Sequence, residues 1–143
     1  MQQDGKTLME LMVVVAIIGT LSGMAVPNFL MLQSRMQTRC VTEEIASELR
    51  LARQLAITSR DRVRVVFDLE RQAVAAQFVN GAITHHIYRY GDKGIVIEEP
   101  SAGPEIVFYP SGRSATATTI QLRNRQGQVQ KLTVSITGRV SIL

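Results

Sequence analysis

The chain has no tryptophan, one cysteine (Cys40), two histidines, four prolines and seven aromatic residues in 143. One cysteine closes no intramolecular disulfide and builds no cysteine-rich metal site. So few aromatic rings argue against a stacking platform for single-stranded nucleic acid. His85 and His86 are adjacent in a stretch that reads as a strand, so they point to opposite faces, one solvent-facing and one core-facing. They cannot share a metal ion. Glycine-rich phosphate loops are missing, and no Ser/His/Asp or Cys/His arrangement has motif support. The sequence therefore reads as a protein without catalytic residues, cofactor or metal. Acid is also lacking at one end: beyond Glu105 there is no Asp or Glu at all.

What is present is unevenly spread. Of the 25 residues from Leu8 to Leu32, 18 are hydrophobic, and all six methionines lie at or before Met36. Leu11 to Val26 carries no charge, and continuing through Pro27 and Asn28 to Leu32 reaches the roughly 20 residues that span a bilayer. A buried core helix would need a larger domain around it than the remaining chain provides. A cleaved secretory signal would show a basic start and a small-residue cleavage site after the apolar run. Met1-Gln-Gln-Asp-Gly5 has no basic residue and no Ala-x-Ala follows, so retention as a membrane anchor is expected. Glu10 heads this segment. It is either a membrane carboxylate that needs a cationic partner or a headgroup-zone residue that needs none. Pro27 lacks a backbone N–H and should kink or loosen the helix. Gly19 and Gly23 form a GxxxG pair that permits close helix–helix approach.

Helical character continues past Leu32, with no Gly or Pro between Asn28 and Arg60. Val41, Ile45, Leu49, Ala52, Leu55 and Ala56 fall on one stripe; Glu43, Ser47, Arg50, Arg53 and Gln54 fall opposite. Glu48 lands on the apolar stripe, against the pattern, and Cys40 sits at its edge as a packing residue. One helix from about 8 to 58 would be ~76 Å long, too long for a domain of this size to cover.

The remainder reads as strands: 62–69, 74–79, 83–90, 95–97, 106–109, 119–122, 129–136 and 140–143. Asn80-Gly81 is a hairpin signal between the second and third. Further turns fall at Gly91-Asp-Lys-Gly94, Pro110-Ser-Gly112, Arg125-Gln-Gly127 and Thr137-Gly138. The expected fold class is α+β, a long N-terminal helix whose first half is transmembrane, packed on an antiparallel β domain.

The run Gly5-Lys6-Thr7-Leu8-Met9-Glu10-Leu11, followed by MVVVAIIGTLSGMAVPNF, closely resembles the class III signal of type IV pilins and type II secretion pseudopilins. Phe108-Tyr-Pro-Ser-Gly112, Thr119-Ile-Gln-Leu122 and Val134-Ser-Ile-Thr-Gly-Arg-Val140 look like the globular domain of GspH/FimT-type minor pseudopilins. The resemblance implies that prepilin peptidase cuts between Gly5 and Lys6 and that the new amine of Lys6 is methylated. Lys6 stands where the family usually has an apolar residue. Glu10 becomes the fifth mature residue, where the family's glutamate meets the free amine of a neighbouring subunit. Pilin-like chains often have a proline at the place of Pro27. Implied partners are other pilin or pseudopilin subunits, the inner-membrane assembly platform and inner-membrane lipid, with the globular domain in the periplasm.

The expected organisation is a leader at 1–5, a membrane and filament-core helix at 6–32, an amphipathic half at 33–60 and a β domain at 61–143. Type II secretion is the first reading of the machine and type IV pilus biogenesis the second. The acid-free tail carries Arg113, Arg123, Arg125, Lys131 and Arg139, a cationic set suited to nucleic acid or to a protein partner. DNA-binding minor pilins carry a GRxR element, and this chain has Gly138-Arg139-Val140-Ser141. A DNA-binding pilus-tip subunit and a membrane-anchored receptor that never polymerises are the alternatives.

Overall fold

The absence of Gly and Pro between Asn28 and Arg60 leaves nothing to stop a helix, and none stops. In a computed structural model that describes residues 4–81 and 84–143, α1 runs Asp4–Ser59 as one element. It begins four residues before the expected start. It also continues unbroken through Pro27. The proline removes one rung of the ladder, the bond to the carbonyl of Gly23. The chain divides into two compact units, residues 1–35 and residues 36–143.

The second unit holds the last part of α1 and eight strands. They are β1 (Val63–Asp68), β2 (Ala73–Phe78), β3 (Thr84–Arg89), β4 (Ile95–Ile97), β5 (Glu105–Phe108), β6 (Thr118–Asn124), β7 (Val129–Val134) and β8 (Val140–Ile142). A 3-10 turn, Gly91–Lys93, precedes β4. Two four-stranded antiparallel sheets result, ordered β3-β2-β1-β5 and β4-β6-β7-β8. The second half of the Asn80-Gly81 hairpin, residues 82 and 83, lies outside the described residues; β2 and β3 pair antiparallel on either side of it, with a bulge at Ala76/Gln77.

The stripe of α1 is the wall both sheets share. Val41, Ile45, Leu49, Ala52 and Ala56 are wholly buried, joined by Ala46, while Leu55 is half-buried against the same cluster. One sheet offers Val63, Val65, Phe67, Ile106 and Phe108; the other offers Ile95, Ile97, Ile120, Leu122, Leu132 and Val134. Strict alternation in β1, with Val63, Val65 and Phe67 buried, is the period of 2 that the sequence displays. Cys40 departs from expectation and is exposed. It stands on the helical row of Glu44, Ser47 and Leu51, all exposed, which turns away from the buried stripe.

Polar pins fix α1 to the sheets at three heights. At the β6–β7 turn, the Asn124 amide donates to Thr38 Oγ1 (3.2 Å) and Gln128 Oε1 (3.0 Å). Its Oδ1 accepts the backbone N–H groups of Gln126 and Gln128. Thr42 satisfies its buried hydroxyl on the Thr38 carbonyl at 2.8 Å. Facing β3, Glu48 lies 3.1 Å from His86 Nδ1, which accounts for an acid on the apolar stripe. His86 is exposed; the side chain of His85 lies outside the described set. One turn earlier, Glu44 accepts from the Tyr88 hydroxyl and from Lys93 Nζ (2.5 Å). Lys93 also donates to Tyr88 (3.0 Å) and sits 5.0 Å from its ring centroid.

The third pin is Arg53. Its Nε donates to the Gly112 carbonyl at 2.9 Å, and Gly138 is pressed against the same carbonyl. A Cβ on Gly138 would fall 2.0 Å from Gly112 O, and its φ is +75°. Gly127 has a similar φ of +78° but open space around it. Gly138→Ala is therefore expected to cost about 3 kcal/mol or more, combining backbone strain and clash, whereas Gly127→Ala costs about 1 kcal/mol. Thermal or urea unfolding of the two variants checks the difference.

Lys93 and Tyr88, donating to Glu44, hold its carboxyl below the usual carboxylate range, and Glu44 in turn raises Lys93. A carboxyl depressed in the folded state stabilises above its unfolded value, and that stability is lost as pH falls through the folded value. Wild-type protein should thus lose more stability than Glu44→Gln between about pH 5 and 3. Because the groups are well exposed, the difference should be about 0.5 kcal/mol. Urea unfolding at several pH values measures it.

Candidate functional site

In the first unit, every large hydrophobic side chain from Leu8 to Leu32 is exposed. The helix is long and apolar enough to cross a membrane, with a mean hydropathy of 2.0 in its most apolar window and none of that window buried. An apolar surface on all sides is unfavourable in water at roughly 25 cal/mol per Å². A helix spends no backbone hydrogen bonds on its surroundings, which makes it fit for lipid. Within the apolar run, Thr20 returns its hydroxyl to the Ala16 carbonyl at 2.8 Å, so this polar group needs no outside partner. Nothing lies within 4 Å of a Cβ position at Gly19 or Gly23, which leaves that small-residue face open.

Glu10 stands exposed on this helix, with no ion pair among the described residues. Gly5 and Lys6 lie in its first turns.

In the second unit the five cations of the acid-free tail do not form one cluster. Arg123 is on β6, flanked across the strands by Val96 and Val129, and reaches Glu98 Oε1 at 2.7 Å. Its charge is thus answered by an acid from before the acid-free stretch. Lys131 is exposed on β7 opposite Gln121, one diagonal from Arg123 on the outer face. Arg125 lies in the β6–β7 turn with its guanidinium against Gly94, Nε being 2.9 Å from where a Cβ would sit. Arg139 follows Gly138 in the β7–β8 turn, so it and Arg125 occupy opposite ends of β7. Arg113 closes the turn after β5. Arg113, Arg125, Lys131 and Arg139 are exposed and make no ion pair among the described residues.

Two turns that are far apart in sequence meet. Tyr109–Arg113 is closed by Gly112 N–H to the Tyr109 carbonyl (2.8 Å) and Tyr109 N–H to the Arg113 carbonyl (2.9 Å). The Ser135–Gly138 turn is closed by Gly138 N–H to the Ser135 carbonyl at 2.8 Å. Ser114 N–H donates to the Ile136 carbonyl at 3.0 Å, and Arg53 holds Gly112 against Gly138. The FYPSG and VSITGRV motifs are therefore one structural knot, tied over the helix. Sequence reasoning found both motifs but not Arg53, because nothing in a charged residue on the polar side of a helix signals a carbonyl 59 residues away. Among the described residues, no group of His, Cys, Asp and Glu could hold a metal.

The sequence profile of the family described as "Type II transport protein GspH" matches residues 41–138. A search of curated protein sequences gives no significant match. Solved structures share the fold. The type IV minor pilin FimU of Pseudomonas aeruginosa superposes with a TM-score of 0.67 at 16% identity, over 76% of this chain and 90% of that one. The minor pseudopilin EpsH from the type II secretion system of Vibrio cholerae superposes with a TM-score of 0.60 at 15% identity, over 75% and 96%. With a long helix packed on two antiparallel sheets and a profile match across most of its β domain, the chain belongs to the GspH family, whose members are pilin-like structural subunits.

Proposed function

We propose that this chain is a minor pseudopilin of a type II secretion machine. The observation that carries this reading is an apolar helical run, residues 8–32, whose one carboxylate is Glu10 near its head, in a chain with a GspH-family β domain. Cleavage follows Gly5, and the new amine of Lys6 is methylated. The helix then sits in the inner membrane, and the β domain lies in the periplasm. On assembly through the inner-membrane platform, Glu10 meets the N-terminal amine of a neighbouring subunit. A carboxylate in lipid without a cation is costly, so the pairing fixes stagger between helices. The open faces of Gly19 and Gly23 allow those helices to approach closely.

Mass spectrometry of the protein from cells should find the chain beginning at Lys6 with a methylated amine; a chain with residues 1–5 intact refutes the processing step. Glu10→Leu should leave the protein folded and membrane-bound but abolish secretion of cargo. Unaltered secretion and assembly in that variant would point instead to a receptor that never polymerises.

A second reading, a DNA-binding subunit of a type IV pilus, draws on the exposed Arg113, Arg125, Lys131 and Arg139, which make no ion pair among the described residues. Four phosphate contacts give an affinity that falls with roughly the fourth power of salt concentration. Gel shift of the detergent-solubilised chain at low salt tests it. DNA binding requires a shifted band that Arg125→Ala with Arg139→Ala weakens, and the secretion reading requires none.

A further inference from the structure

We infer that the hollow between the Tyr109–Arg113 turn and the Ser135–Gly138 turn is a docking surface for another protein, taking a segment that carries a carboxylate beside an apolar side chain. The inference deepens the subunit reading, from which it takes only that the chain has a protein partner.

The hollow is open to solvent and holds about 300 Å³ between Tyr109, Ser111, Arg113 and Ile136. That volume suits one or two side chains and is at the small end for an enclosed small-molecule site. Ile136 is 50% exposed and Tyr109 39% exposed; Ile87, Val96, Val129 and Leu143 also face water, but among the lining of this hollow two large apolar groups stand beside a cation. Arg113 is the cation of the hollow. It is exposed, it has no ion pair among the described residues, and no acid follows it in the chain. A tyrosine and an arginine beside an aliphatic residue match the residue types that dominate binding energy at protein interfaces.

The walls are also fixed before any partner arrives. Two hydrogen bonds close the Tyr109–Arg113 turn, Ser114 ties it to Ile136, and Arg53 anchors it through Gly112. A preformed surface loses little conformational entropy on binding.

Charge and shape together select the occupant. An arginine left bare beside apolar groups is complemented by a carboxylate with an aliphatic or aromatic neighbour. Nucleic acid fits less well, because one cation answers one phosphate and the apolar lining offers nothing to the backbone.

The full chain in lipid nanodiscs, titrated with fluorescent acetyl-Ala-Leu-Glu-Phe-Asp-Ala-amide, tests the proposal by anisotropy against empty nanodiscs. Saturable binding is expected. It should weaken about tenfold in Arg113→Glu, as for loss of one charge-assisted pair, and severalfold in Ile136→Ser. Among the described residues the hydrogen bond that Arg113 makes is through its backbone carbonyl, so Arg113→Glu should melt like wild type. A peptide with Lys in place of Glu and Asp should prefer the Arg113→Glu variant.

Binding unchanged by Arg113→Glu, or no binding at millimolar peptide, overturns the proposal. So does a 20-base-pair DNA duplex that binds through Arg113 while the peptide does not. Glu10→Leu should leave peptide binding intact, so failure of the docking surface and failure of the assembly reading are told apart.

Discussion

One helix has to satisfy two surroundings, and the rest of the structure follows from that demand. The i→i−4 ladder satisfies the backbone of α1 wherever it runs, so only the side chains decide what each stretch requires. From Leu8 to Leu32 they are apolar on every side and exposed on every side. From Val41 to Ala56 they are apolar on one stripe, and Val41, Ile45, Leu49, Ala52 and Ala56 of that stripe are wholly buried. The β domain cannot do without it. Two small sheets on their own would face each other across too little apolar surface, and the stripe contributes side chains to the cluster that joins them.

Much of this was legible in the sequence. Alternation with a period of 2 places β1 within a residue at each end, and turn chemistry brackets the other strands nearly as well. The stripe on α1 is equally readable from its spacing of three and four. What resisted reading is the set of contacts that only the folded chain creates. Glu48 on an apolar stripe looks like an error until His86 is seen beside it. Nothing in the sequence marks Thr38 and Thr42, yet both are buried, and Thr38 receives the Asn124 amide. Cys40 reads as an edge packing residue, and the direction of its row on the helix turns it outward.

The tail charges show the same difference between counting along a chain and measuring across a surface. Arg113, Arg123, Arg125, Lys131 and Arg139 share a stretch without acid, which suggests a single cationic face. Antiparallel pairing undoes that suggestion. It brings Glu98 to Arg123 from the preceding segment and sends Arg125 and Arg139 to opposite ends of β7. Affinity for a polyanion grows with the number of phosphates that cations neutralise together. Arg113 and Arg139 follow the glycines of two turns that meet, while Arg125 lies at the other end of β7, so the five charges do not form one face, and a single guanidinium suits one carboxylate.

Where those single charges sit then matters more than how many there are. Arg113 and Arg139 emerge from turns whose glycines, Gly112 and Gly138, both hold φ near +75°, and Gly138 approaches the Gly112 carbonyl too closely for any side chain. Gly138 admits no side chain, which fixes the frame of these turns, while Arg113 and Arg139 stay exposed. Arg53 ties that frame to the helix through its bond to the Gly112 carbonyl. The surface that meets a partner and the helix that carries the subunit are in this way set by a common contact.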